Sequence, residues 1–178
     1  MIRKGRITFQ MTQKRYDELI NSHRGFISAT MRDVLLPAIL GKETDGILYW
    51  IGKDLAREYP VQTIDELILL TKQLGFGDLE LIKDTDLQHT FKLSGPIVSE
   101  RLALDKEHTS FTLEAGFIAQ ELEFQLGTVT EAEVDSIKHK EVHIFAQNDP
   151  QKLSNPEETE IVQFIKLKSS QPQSKSKK

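Results

Sequence analysis

The stretch that decides the fold is Leu35-Leu36-Pro37-Ala38-Ile39-Leu40-Gly41-Lys42-Glu43-Thr44-Asp45-Gly46-Ile47-Leu48-Tyr49-Trp50-Ile51-Gly52-Lys53-Asp54-Leu55-Ala56-Arg57-Glu58-Tyr59-Pro60. It holds the sole Trp of the chain. Ile47, Leu48, Ile51 and Leu55 recur at helical spacing. Tyr49, Trp50 and Ala56 widen that face, so the pattern predicts a central helix buried between two layers. Thr44 opens it, with Asp45 in the first turn where a negative charge suits the helix dipole. Lys53, Asp54, Arg57 and Glu58 are expected on its wet face, and Pro60 stops it. Gly46 and Gly52 each cost a helix up to about 1 kcal/mol relative to Ala. Their presence predicts a close contact with a neighbouring backbone or a ligand.

Upstream, Ser28 or Thr30 can cap a helix carrying Met31, Val34, Leu35, Ala38 and Ile39. Pro37 argues for a break or kink inside it, and Gly41 ends it. Residues 1–26 read as a basic N-terminal arm, with Ile7-Thr8-Phe9 a short strand or docking segment.

Downstream, Thr63-Ile64-Asp65-Glu66 is a capping box. The helix behind it presents Ile64, Leu67, Ile68, Leu70, Thr71 and Leu74, and Gly75 closes it. Asp78–Lys83 and Leu87–Leu93 alternate around an Asp84-Thr85-Asp86 turn, which predicts a hairpin. Ile97–Ala103 reads as a helical turn. A second long helix is expected from about Ser110 to Leu126, striped by Leu113, Phe117, Gln120 or Glu121, and Phe124 beside Gly116, with Gly127 as its stop. Val129–Asp135 and Val142–Gln147 predict a second hairpin, closed by Asn148-Asp149-Pro150. Glu157–Leu167 reads as an amphipathic helix. The resulting order predicts an α+β fold, with a helical layer packed on an antiparallel sheet. We expect one domain over residues 27–150, a C-terminal segment over 151–168 and a disordered Lys/Ser/Gln tail over 169–178.

Composition narrows the function. The 178 residues fit a single core. Formal net charge is -4. Residues 1–24 carry six Lys/Arg against Asp17 and Glu18, and residues 166–178 carry five lysines and no acid, so the middle is strongly acidic. An acidic body is a poor nucleic-acid surface. The chain has no cysteine, which excludes disulfides, thiol catalysis, Cys-ligated zinc and iron–sulfur clusters. No apolar run approaches the ~20 residues of a membrane span, and no secretory leader is visible. We expect a cytoplasmic, soluble protein.

No catalytic residue, cofactor or metal site emerges. Gly-x-Ser-x-Gly, the P-loop and Gly-x-Gly-x-x-Gly are absent. His139 and His143 have ligand spacing only on a helix. On a strand they lie about 13 Å apart, too far for one metal. The acids of the second hairpin are explained by strand alternation on an exposed face.

Four segments carry a family resemblance. They are Leu35–Gly41, Ile47–Arg57, Leu74-Gly75-Phe76-Gly77-Asp78-Leu79 and Glu114-Ala115-Gly116-Phe117-Ile118-Ala119. Together they resemble the YslB-like family, an uncharacterised group of small proteins from Gram-positive bacteria of the bacillus type. The same motif order is similar to the four-vinyl-reductase domain, whose fold is shared by TRAPP tethering subunits and haem-nitric-oxide-associated sensors. That resemblance implies a helical layer on a four- or five-stranded antiparallel sheet, often a homodimer, and an apolar cavity near the central helices. Its relatives often carry cysteines around the late helix and last hairpin. This chain has none there, so no metal or lipidated cysteine carries over.

Tyr49, Trp50 and Gly52 on one long helix, with Gly116 and Phe117 on the other, are candidates to wall an apolar pocket. Arg57 or Arg101 would then anchor an acidic head group. Plain helix–helix packing explains the same residues. Two functions follow. One is a non-enzymatic sensor or carrier holding a small apolar or acidic ligand between the two long helices. The other is a structural or adaptor protein acting through homodimerisation and partner recruitment. A cavity bounded by Trp50 and Phe117 favours the first; a filled core with a large apolar symmetric interface favours the second.

Overall fold

The computed structural model describes residues 13–104, 109–153 and 162–168. Helices α1 (Gln13–Ile20), α2 (Phe26–Thr30), α3 (Leu36–Leu40), α4 (Thr44–Glu58) and α5 (Ile64–Gln73) precede a hairpin, β1 (Asp78–Asp84) and β2 (Gln88–Ser94). Helices α6 (Pro96–Leu104) and α7 (Thr112–Leu126) follow. A second hairpin, β3 (Thr128–Lys138) and β4 (Glu141–Leu153), completes the sheet. All neighbours in it are antiparallel, in the order β1-β2-β4-β3. This is the expected α+β architecture with four strands.

The local signals explain most boundaries. The Glu66 amide donates to Thr63 Oγ1 at 3.2 Å, and the Gln62 amide donates to Glu66 Oε2 at 3.0 Å, so the capping box starts α5. Gly127 adopts the left-handed conformation that ends α7. His89, Phe91 and Leu93 alternate into the core from β2.

Pro37 does not break its helix. Residues Met31–Leu35 form a π turn joining α2 to α3, and the Leu36 amide bonds back to Met31 O. The wider turn absorbs the carbonyl that the proline cannot serve. Helix α2 starts earlier than Ser28, at Phe26, after Gly25 with φ 83°. Part of the basic arm is also ordered: α1 buries Leu19 completely. Ile7-Thr8-Phe9 lies outside the described residues.

Two C-terminal expectations are corrected. Strand β4 runs through Pro150 to Leu153 rather than closing at Asn148. Its register with β2 ends at Gln147, the Asn148 amide still donating to Leu87 O at 3.1 Å, and at Pro150 no β2 residue lies opposite, so the proline costs no inner ladder bond. Residues 162–168 are not helical. Ile165 and Leu167 alternate inward onto the core, and the Ile165 amide donates to Pro60 O at 2.9 Å. The remainder of the expected 157–167 helix lies outside the described residues.

The largest correction concerns which helix is central. It is α7, where every residue from Leu113 to Phe124 is buried. Helix α4 buries Leu48, Gly52, Lys53 and Ala56, but Trp50 is 59% exposed. Sandwiched between α4 and the sheet, α7 has no wet face. Its Glu114, Gln120, Glu121 and Glu123 therefore go inside and take polar partners.

Candidate functional site

The two long helices meet backbone to backbone. A Cβ built on Gly52 would lie 2.1 Å from Leu113 O and 2.8 Å from Phe117 N. One built on Gly116 would lie 2.0 Å from Tyr49 O. The glycines are therefore the means of a close crossing, and they leave no volume for a ligand between the two backbones at that point. Phe117 is fully buried and meets Phe76 edge-on at 5.5 Å. Tyr49 meets Trp50 edge-on at 5.9 Å.

A polar tie holds the crossing to β3. Lys53, expected on the wet face, is buried instead. Its ammonium donates to Thr130 O at 3.3 Å and sits 3.5 Å from both Glu123 and Glu131. It also lies over the Tyr49 and Trp50 rings, at 5.9 and 5.7 Å. The Tyr49 hydroxyl donates to Glu131 and accepts from the Ala132 amide. Burial and the Glu131 carboxylate both push the phenol upward, so it stays protonated. Arg57 bridges Asp54 at 2.6 Å and Gln120 at 2.8 Å. The Val61 amide donates to Glu121 Oε2 at 3.0 Å, while Glu121 Oε1 has no hydrogen-bond partner among the described residues. Burial pushes the Glu121 carboxyl up to about 8.

Arg101 belongs to a different place. From α6 it donates to Asp33 at 3.0 Å, to Glu114 at 2.8 Å and to Ser110 O at 2.6 Å, over the Phe111 ring. Arg32 reaches the same Glu114 at 3.0 Å, and burial lowers its pKa. Arg24 pairs with Asp33. Arg24, Arg32, Arg101 and Glu114 border a cleft of 430 Å³ between α2, the end of α5, α6 and the start of α7. Sequence reasoning missed the cleft because Arg24 fell in the presumed arm. Arg24, Ser28 and Arg32, spaced four apart, were the available signal.

So of the seven candidate residues, Tyr49, Gly52, Gly116 and Phe117 come together at the crossing. Trp50 flanks it on the outside, Arg57 ties its far end, and Arg101 lines the separate cleft. The histidine pair does not converge. His139 occupies the β3–β4 turn with φ 51°, and His143 bonds Glu141 at 2.9 Å. Among the described residues no group of His, Cys, Asp or Glu has the geometry to hold a metal ion, and no helix is long and apolar enough to cross a membrane.

A last feature is apolar and outward. Ile27, Met31, Leu35 and Ile39, four residues apart along α2–α3, are all exposed, Ile27 by 78% and Ile39 by 68%. On α4, Ile47, Trp50 and Ile51 form a second exposed apolar set.

Known proteins bear on this arrangement. The chain is 35% identical over 102 residues to the uncharacterised protein YslB of Bacillus subtilis (strain 168), covering 57% of this chain and 68% of that one. Among solved structures it is similar to a vinyl-4-reductase family protein from Methanocaldococcus jannaschii. That match has a TM-score of 0.48 and 22% identity, over 57% of this chain and 68% of the other. Residues 25–147, which hold the π-bulged helix, the glycine crossing and all of the cleft's lining but His23 and Arg24, match the family described as protein of unknown function (DUF2507), and the chain belongs to that family.

Proposed function

We propose that this protein is a non-enzymatic interaction module that works as a homodimer through the exposed apolar face of α2–α3 and α4. The observation that carries this is the row Ile27, Met31, Leu35 and Ile39, exposed where a helix of a monomer places charge. A row of one chemical character can face its own copy across a two-fold axis, and the four-vinyl-reductase/TRAPP resemblance implies a dimer. The packed glycine crossing supports the same reading, since it fills the place where a ligand was expected.

The test is sedimentation of the full chain by analytical ultracentrifugation over a concentration series, with Ile39→Glu and Ile27→Glu beside the wild type. A wild-type dimer that both variants convert to folded monomer supports the interface. A wild type that stays monomeric throughout the series overturns it. Both side chains are mostly in solvent, so the substitutions should leave folding intact.

A second reading, a sensor or carrier of a small ligand, is favoured by the cleft at Arg101. In that reading Arg101 lines the site but its donors are taken by Asp33, Glu114 and Ser110 O, so the anchoring role passes to its cationic neighbours. The ligand lies beside α6 and α7 rather than between α4 and α7.

A further inference from the structure

The cleft is unusually rich in cations for a half-closed space. Arg24, Arg32, Arg101 and Lys72 line it, against Glu114 as the lining carboxylate. Three of the four are largely out of solvent: the Arg24, Arg32 and Arg101 side chains are 8%, 13% and 3% exposed. Arg101 is fully committed, its three donor nitrogens taken by Asp33, Glu114 and Ser110 O. Arg24 is not. One Nη meets Asp33, while its buried Nε has no hydrogen-bond partner among the described residues. An orphaned guanidinium nitrogen is costly unless something outside the chain accepts its hydrogen. Leu74, Phe76 and Ile97 supply the apolar part of the wall.

From this juxtaposition we propose that the cleft is a binding site for a small organic molecule with an oxyanion head, a carboxylate or phosphate, seated on Arg24, Arg32 and Lys72 with its apolar body against Phe76 and Ile97. The inference rests on the small-ligand reading of the protein. A guanidinium presents a planar fork of donors to such a head, and each charge-assisted bond there is about twice as strong as a neutral one. Arg101 acts as the fixed partner: with Glu114 and Asp33 it holds the other two arginines in place. The volume of 430 Å³ is within the range of small-molecule sites. The site also lies on the inner side of the helix whose other side carries Ile27 and Met31, so an occupant would touch the element proposed for self-association.

The experiment titrates the full chain with phenyl phosphate, benzoate, inorganic phosphate and neutral benzyl alcohol at constant ionic strength, followed by amide shifts in heteronuclear NMR. The expected result is saturable binding of phenyl phosphate or benzoate, with shifts confined to residues around Arg24, Ser28, Lys72–Phe76 and Ile97. Lys72→Gln, on an exposed side chain, should weaken it several-fold, and Arg24→Gln by about tenfold, one charge-assisted hydrogen bond. Lys14→Gln on α1 should change nothing. Should Arg24→Gln fail to fold, the shift map and Lys72→Gln decide alone. Binding of benzyl alcohol in the cleft as tight as that of the two anions would overturn the oxyanion proposal while sparing the small-ligand reading. No saturable shift with any of the four probes overturns both. Anion binding that Lys72→Gln leaves intact, with shifts scattered over the surface, overturns the site.

Discussion

Replacing Gly52 with Ala tests the helix crossing directly. The added methyl would sit 2.1 Å from Leu113 O, where ordinary contact begins at 3.4 Å. The obstacle is backbone on both sides, so no rotamer change relieves it. The helices must part by more than about 1 Å, and a radial gap of that size forfeits a quarter to a half of the dispersion energy along the contact. Overpacking of this kind costs about 1–3 kcal/mol, occasionally more. Better helix propensity returns at most ~1 kcal/mol. Adding the lost packing of Leu48 and Leu113, we expect a net loss of about 3 kcal/mol, or a fall in Tm of about 10 °C for a chain of this length. Gly46→Ala is the control. It lies on the same helix with nothing within 4 Å of the new Cβ, and should be neutral or stabilising by up to ~1 kcal/mol. Urea denaturation followed by circular dichroism measures both. Gly116→Ala meets Tyr49 O at 2.0 Å in the same crossing. One separation relieves both clashes, so the double variant should lose clearly less than the two single losses added together. A Gly52→Ala protein as stable as Gly46→Ala would refute the close crossing, and full additivity would refute the shared separation.

Glu121 gives a pH prediction. Its carboxyl is raised from 4.5 to about 8 because burial disfavours the charge, so the folded state binds the proton more tightly than the unfolded one. The stability tied to this group is full below its ordinary value and is lost as pH rises through about 8. Relative to wild type, Glu121→Gln should gain on the order of a few kcal/mol as pH climbs from 5 to 8; thermal melts across that range giving parallel curves would sink the assignment. Glu114→Ala should cost roughly 3–5 kcal/mol, because it leaves Arg101 and Arg32 buried beside each other without their shared carboxylate. A denaturation midpoint near that of wild type would show the pair to be dispensable.

The sequence made the elements legible where one local rule governed. Thr63 and Glu66 announced α5, Gly127 announced the end of α7, and period-two residues announced β2. It misplaced the centre because α7 is buried on all sides yet carries Glu114, Gln120, Glu121 and Glu123. The stripe admits Gln120 or Glu121 to the buried face and leaves the other polar residues to solvent, whereas the partners that satisfy all four, Arg101, Arg57, the Val61 amide and Lys53, come from distant parts of the chain. The same blindness put Lys53 in water. Long-range pairing of buried charge is a tertiary property, and no window of sequence contains it.

The glycines show how a correct local inference can still leave two outcomes open. A glycine retained inside a helix implies a close approach, expected at Gly46 and Gly52; Gly52 makes one, whereas nothing lies within 4 Å of a Cβ on Gly46. The approaching group, backbone or ligand, was not encoded locally. Each glycine faces the other helix one turn from its counterpart's contact: Gly52 against Leu113 and Phe117, Gly116 against Tyr49. Reciprocal gaps of this kind close on each other, and they convert the apparent pocket into the tightest packing of the core. What α4 and α7 no longer offer to a ligand is then sought at the two places where burial is incomplete. One is apolar and faces outward along α2–α3; the other is cationic and lies under the same helix. Because Ser28 and Arg32 line one side of that element, with Arg24 just before it, while Ile27, Met31 and Leu35 line the other, the π turn at Met31–Leu35 lies where the two surfaces meet. Single π turns inside helices are frequent at functional sites, which makes this helix, rather than the Trp50 helix, the element on which function should be tested.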